Sequence, residues 1–340
     1  MNQRQRIAWL AGVSVVVLAA ATFYGVTQWQ LTEQARSAPS AVEVAAEATV
    51  TGPRVVFRNT ASGEGYGHVA SVPLENPGGE RAISPLVCDR VDATSVITAC
   101  LRVLRGVLTT YEAQLYDAEN RLEQAWPLAG IPSRTRLSGD SELVATTAFV
   151  TGHSYATVGF STETVVTDAA GHSLGNLEEF ELLVDGQPVL AADRNIWGVT
   201  FTDDGRTFYA TAASGGRTWL VEGDLDRRTL TAIRDGAECP SLSPDGSRLA
   251  YKKNVGSDGQ VRWTIAVYEL STGQETTLPI DQNVDDQVEW LDDATLLFGL
   301  ARTDSIGDSD VWAVAVDGSA PPAVFIEHAW SPAVVHKVAG

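Results

Sequence analysis

The sequence predicts an all-β chain: a six-bladed β-propeller preceded by one N-terminal transmembrane helix and a short tether. Three observations predict it. Strand-like segments return at intervals of about 44, 44, 64, 42 and 47 residues, centred near Val56, Cys100, Val144, Phe208, Ala250 and Leu297. Repeats of roughly 40–50 residues with several strands each are the signature of propeller blades. Tight acidic turns precede several of these strands, with Asp-Gly at 204–205 and 245–246, where glycine accepts a positive φ without steric cost. From residue 54 onward no long stretch carries the 3.6-residue period of a capped amphipathic helix.

The first element is the N-terminal segment. Arg4 and Arg6 precede "IAWLAGVSVVVLAAATFYGV", residues 7–26, which carries no charge. About twenty such residues suffice to cross a hydrocarbon core of roughly 30 Å. The arginines place the N-terminus in the cytoplasm and the rest of the chain outside. A cleaved signal peptide, with Ala19 and Ala21 as the A-x-A site, is the other reading. Both export the protein, as a single-pass protein of the cytoplasmic membrane or as a secreted one. Residues 1–26 are thus the cytoplasmic tip and signal-anchor. Residues 27–53, rich in Gln, Ala, Ser, Glu and Thr, read as an extracytoplasmic linker, with some helical character at 41–48. The propeller is assigned to 54–340.

Export sets the redox context. Of three cysteines, Cys88 and Cys100 are expected to form a disulfide, a cross-link contributing about 2–3 kcal/mol. Cys239 is then a buried free thiol. There is no C-x-x-C, no cysteine–histidine spacing suited to zinc, and no metal or cofactor is expected. A formal net charge of −19 without any basic run excludes a surface that tracks nucleic-acid phosphates.

Within the repeats, "HVASVPL", "YEAQLYD", "TWLVEGDL", "TIAVYEL" and "DVWAVAVDG" read as third strands, and "RTLTAI" and "QETTLPI" as terminal strands. The one overlong interval, about 150–192, reads as an insertion between blades and a place to expect a functional contact. Here the segments "CPSLSPDGSRLAYKK" and "DSDVWAVAVDGSA" resemble the PD40 repeat, the WD40-like repeat of the TolB family. The match is close over 239–280, fair in the third, fourth and sixth units, and faint in the first two. Gly139-Asp140 stands where the family has Pro-Asp, and Asp293-Ala294 where it has Asp-Gly. The resemblance implies a six-bladed propeller exported from a bacterial cell. The family's namesake is a non-catalytic binding protein of the cell envelope. Peptidases that share the repeat carry a separate α/β-hydrolase domain, for which no length is expected after the last blade.

"GHSLG", residues 171–175, matches the G-x-S-x-G nucleophile elbow, with Ser173 as the would-be nucleophile. Asp168 before it, Asn176 after it, and its place in the overlong interval make it a turn instead. "DSIGDSD", residues 304–310, has carboxylates that could hold a hard cation, but it lacks the ligand order of a calcium loop. It reads as a solvated loop capped by aspartate, with Asp310 structural. The positions preceding each inner strand open on the central channel. They are Arg134 and Arg136, Asn195 and Trp197, Glu238 and Cys239, Asp286 and Gln287, and His328 and Trp330. Such a ring can bind a peptide or a polar small ligand, or its groups can satisfy one another. The expected function is a non-enzymatic binding or scaffold protein of the cell envelope, partnered by an envelope protein or peptide. The alternatives are a metal-dependent propeller hydrolase or lactonase, and a carbohydrate-binding module.

Overall fold

The computed structural model describes residues 39–46, 50–150, 161–257 and 259–336, with scattered positions among the first thirty. Those scattered positions are helical, and among the described residues no helix is long and apolar enough to cross a membrane. The transmembrane expectation for 7–26 falls partly outside the described residues.

Six antiparallel sheets form a ring. The first blade takes its innermost strand from the far end of the chain: Ala329–Val335 pairs with Arg54–Asn59, followed outward by His68–Pro73 and Ala82–Val87. The second blade is Arg90–Ala93, Ile97–Leu104, Thr110–Asp117 and Leu122–Pro127. The third is Ile131–Leu137, Leu143–Val150, Ser161–Asp168 and Ser173–Asn176. Asn195–Phe201, Thr207–Ser214, Arg217–Asp224 and Thr229–Asp235 make the fourth. Ala237–Leu242, Arg248–Asn254, Trp263–Glu269 and Glu275–Thr277 make the fifth. Glu289–Asp292, Thr295–Ala301, Ser309–Ala315 and Ala323–Ile326 make the sixth. The innermost strands touch one another in sequence and close the ring.

The reason for a propeller lies in the strand period. Along Thr207–Ser214, Phe208, Ala210 and Ala212 pack toward the third blade, while Tyr209 packs toward the fifth. A strand buried on both faces carries apolar residues on successive positions, and each face finds a neighbouring sheet. The described core is accordingly six clusters, one at every blade–blade interface. The expected disulfide links Cys88, just past the first blade's outer strand, to Cys100 in the second blade. Cys239 is free and buried.

Two expectations need correcting. The interval 150–192 is not one inserted loop. Ser161–Asp168 and Ser173–Asn176 are ordinary outer strands of the third blade, and 151–160 lie outside the described residues. The true addition begins at a short 3-10 turn, Leu177–Glu179. It continues into Glu181–Val184 and Gln187–Pro188, which extend the fourth blade to six strands. Glu181–Val184 runs parallel to Thr229–Asp235, and Leu177, Phe180 and Leu182 are fully buried in the core between the third and fourth blades. Secondly, the tether over 41–46 is not helical, and 47–48 lie outside the described residues. Val44 bridges Arg81: the Ala45 amide donates to the Arg81 carbonyl (2.9 Å) and the Arg81 amide to the Glu43 carbonyl (3.1 Å).

Candidate functional site: the central channel and its mouth

Each innermost strand starts at one face and ends at a turn on the other. The starting ends surround the channel mouth. The second strand runs back toward the mouth, so loops between second and third strands lie there too. The structure places every predicted position on or just before an innermost strand, yet the ring is not an open funnel. Arg134 of the third blade reaches Asp286 of the sixth (3.6 Å), and Arg136 pairs with Glu289 of the sixth while standing 3.9 Å from Asp92 of the second. Third and sixth blades lie opposite each other in a ring of six, so these pairs span the channel. Gln287 donates toward the carbonyls of Val199 and Pro240 (3.4 and 3.3 Å), tying the sixth blade to the fourth and fifth. The cavity left among Arg90, Asp92, Arg134, Arg136, Asp286 and Gln287 is about 20 Å³. That is room for roughly one water.

Burial sets the electrostatics here. It drives the Asp92 carboxyl up to about 6, aided by Glu289, while Arg136 pulls the other way. Arg136 itself is held above its ordinary range: burial opposes its charge, but Glu289 and Asp92 outweigh that. Arg90 is brought down to about 10 by burial and by the neighbouring Arg134. Its guanidinium stacks on the Trp330 ring (5.4 Å) and its Nε donates to the Ser133 carbonyl (2.7 Å). The far side of that indole lies against Gly299, where a Cβ would come within 2.5 Å of the ring, so only glycine fits.

Cys239 lies against Arg134 of this network, while Asn195, Glu238 and His328 take other partners. Asn195 accepts from the Thr162 amide (2.8 Å) at the interface of third and fourth blades, and Trp197 is buried beside it in sequence. Glu238 stands 4.0 Å from Lys252, which pairs with Asp285. His328 turns away from the channel into a hollow between the sixth and first blades, where its Nδ1 is 2.7 Å from Asp308. The solvated-loop expectation for 304–310 therefore fails at its end. Asp308 and Asp310 are buried, Asp310 accepting twice from Arg302 (2.9 and 2.8 Å). Sequence reasoning missed Arg90, Asp92, Lys252 and Glu289. Extending the repeat phase into the faint second unit would have found Arg90 and Asp92.

Ser173 is exposed at the start of the third blade's outer strand, next to a turn in which His172 meets Asp168 (3.0 Å). Gly171 and Gly175 both have positive φ, and the lipase-like motif is a hairpin. Among the described residues no group of three or more His, Cys, Asp or Glu is placed to hold a metal ion. A cavity of about 800 Å³ opens at the opposite face between the first and second blades. It borders residues 50–52 and His336, beside segments outside the described residues.

No family profile and no curated protein sequence matches the chain. Solved structures do. TolB from Acinetobacter baumannii superposes with a TM-score of 0.56 at 15% identity, over 84% of this chain and 66% of that one. The chain thus spans just under two thirds of that TolB chain's length. A chain of the nidogen–laminin complex superposes with a TM-score of 0.55 at 11% identity, over 83% of this chain and 98% of its own. An oligogalacturonate lyase in complex with manganese is also similar (TM-score 0.47, 12% identity, 75% and 72% covered). The fold is a six-bladed β-propeller of TolB-like type. At these identities the likeness shows the fold and assigns no role.

Proposed function

We propose that this protein is a non-enzymatic binding protein, tethered to the bacterial cytoplasmic membrane by its N-terminal segment and presenting the mouth face of its propeller to another envelope protein. One observation carries the reading: the loops between second and third strands end in exposed apolar side chains. Val107 and Leu108 tip the second blade, Val255 and Val261 the fifth, and Ile306 the sixth. Apolar groups held out to water around one face mark a contact surface, with rigid blades holding the loops in place. The closed channel supports the same reading, since a ligand larger than a water meets the mouth before it meets the interior. The disulfide between Cys88 and Cys100 fits an oxidising compartment. The nidogen–laminin structure offers a precedent of a similar propeller captured in a complex with another protein.

In-cell crosslinking of the tagged full-length chain, read by mass spectrometry, tests this. Recovery of one envelope protein, lost when Leu108 and Ile306 are both changed to Asp, is the expected result. A crosslink that survives those changes would move the contact to another surface. Failure to recover any specific protein from a folded, exported chain would sink the partner reading.

A further inference from the structure

We infer that the hollow between the sixth and first blades is a binding site for the ammonium head of a lysine side chain. It takes its biological meaning from the partner-protein reading above, but the claim about the site stands on the hollow's own geometry. The hollow holds about 230 Å³ and is lined by Thr60, Tyr66, Arg302, Asp304, Asp308 and His328, among others. That is smaller than the usual pocket for a whole ligand, roughly 300–1,000 Å³, and suits one side chain.

Its centre is a histidine held from every side. The His328 amide donates to Asp310 (2.8 Å), and its carbonyl accepts from the Thr60 amide (2.9 Å) and from Arg81 Nη1 (3.0 Å). The residue is fixed at φ 52°, a region that costs a non-glycine residue energy and persists where surrounding contacts impose it. Asp308 accepts from Thr60 Oγ1 and the Ser309 amide (both 2.8 Å) and meets His328 Nδ1 at 2.7 Å. A carboxylate only accepts, so Nδ1 carries the hydrogen, and in the uncharged tautomer this leaves an acceptor lone pair on Nε2. That nitrogen has no hydrogen-bond partner among the described residues, on a ring that lines the hollow.

Two other lining groups, on Tyr66 and Asp304, can accept as well. Tyr66 donates its hydroxyl hydrogen to the Gly307 carbonyl (3.0 Å), leaving the phenol oxygen to accept. The Asp304 carboxylate stands exposed at the rim. Arg302 is committed to Asp310 and lies near Asp308 (3.7 Å) and Glu327 (3.9 Å). Arg81 is committed to Asn59 and to the carbonyls of Glu327 and His328. Of the arginines and carboxylates lining the hollow, Arg302 stands against Asp304 and Asp308, an excess of one negative charge. Three acceptors around a slightly negative hollow match the three hydrogens of one ammonium group. Ile306 on the lip offers an apolar wall to the methylenes behind it.

The experiment uses the full chain with ¹⁵N-labelled histidine, titrated with N-acetyl-lysine-N-methylamide and separately with its uncharged analogue, N-acetyl-norleucine-N-methylamide. The lysine compound should shift the His328 Nε2 resonance saturably and leave those of His68 and His172 unmoved, while the norleucine compound should not bind. His328→Gln should weaken lysine binding roughly tenfold or more, the worth of a hydrogen bond to a charged group. Asp304→Asn, at an exposed position that the fold does not need, should weaken it less. Equal responses to the two compounds, no response to either, or undiminished lysine binding by His328→Gln would each overturn the inference. Binding of the lysine compound without any crosslinked partner would leave the site standing and the partner reading fallen. The reverse result would do the opposite.

Discussion

The two ends of the innermost strands handle charge in opposite ways. At the turn face, Asp204 and Asp245 are satisfied within a few residues of themselves. Asp204 accepts from the amides of Arg206 and Thr207 and from Thr202 Oγ1, and Asp245 from the Ser247 amide and the hydroxyls of Ser243 and Ser247. These hydrogen bonds favour the ionised form. Asp245 falls to about 2, chiefly through the Ser243 hydroxyl, and Asp204 is held well below the carboxylate range despite a burial cost. Toward the channel and the mouth, two buried carboxyls go the other way. Asp92 rises to about 6 and Glu178 to about 7, each mainly through burial. The first arrangement is local and belongs to each blade alone. The second joins blades to one another, and it forms only when the ring closes.

The largest effect should come from breaking the cross-channel pairing. Arg136→Met leaves Asp92 and Glu289 in the channel without their cation, and removing one partner of a buried pair costs about 3–5 kcal/mol. Denaturant unfolding measures it. Adding Glu289→Gln should restore much of the loss, because the second change removes an uncompensated charge. A cost under about 1 kcal/mol for Arg136→Met would mean that the channel is wet and its charges solvated, and the contrast between the two ends would collapse.

A second prediction turns on pH. Glu178 Oε1 accepts from Thr162 Oγ1 (2.9 Å) and the Ile196 amide (3.0 Å), and Oε2 from the Thr164 amide (2.9 Å), so it ties the third blade to the fourth. Burial outweighs these donors and raises its pKa from 4.5 to about 7. A carboxyl whose folded pKa is raised binds its proton more tightly when folded. Its contribution is therefore complete below pH 4.5 and is lost as the pH climbs toward 7, by about 3 kcal/mol in all. Glu178→Gln should flatten the stability profile across that window. An unchanged profile would mean that the three donors prevail over burial and that Glu178 is ionised throughout.

How much of this was legible follows from the same contrast. The six strand centres read from the sequence all fall in second-position strands, because each combines a local turn with β-branched or aromatic residues. "SPDG" at 243–246 is readable from four letters, since Asp245 bonds to its own turn. Arg136 and Glu289 are 153 residues apart, and nothing near either one announces the other. A still greater separation in sequence hid the pairing of Ala329–Val335 with Arg54–Asn59. The overlong interval was visible as a number but misread in content. "STETVVTD" and "SLGN" look like loop because the outer strands of a blade keep more polar residues. The apolar run at 177–184 fills a core between two blades that the sequence does not show to be neighbours there.

The smallest effect belongs to the turn face. Asp245→Ala removes the acceptor for the Ser247 amide and two hydroxyls, yet the site is exposed and water can replace what is lost. The expected cost is about 1 kcal/mol or less. Because the folded pKa is depressed, the wild-type contribution is present above pH 3.8 and disappears as the pH falls toward 2. Wild type and Asp245→Ala should therefore converge in stability in acid, the reverse of the Glu178 pair, which differ most in shape between pH 4.5 and 7. The Gly246 turn, at φ 69°, should keep the hairpin closed without the aspartate. A loss of several kcal/mol would show that this turn is coupled beyond its own blade. The one visible route is the Asp245 amide, which donates to Asp293 of the sixth blade (3.0 Å). Asp293→Ala should then reproduce that loss; if it does not, the turn's contribution is local, and the division between the two ends holds.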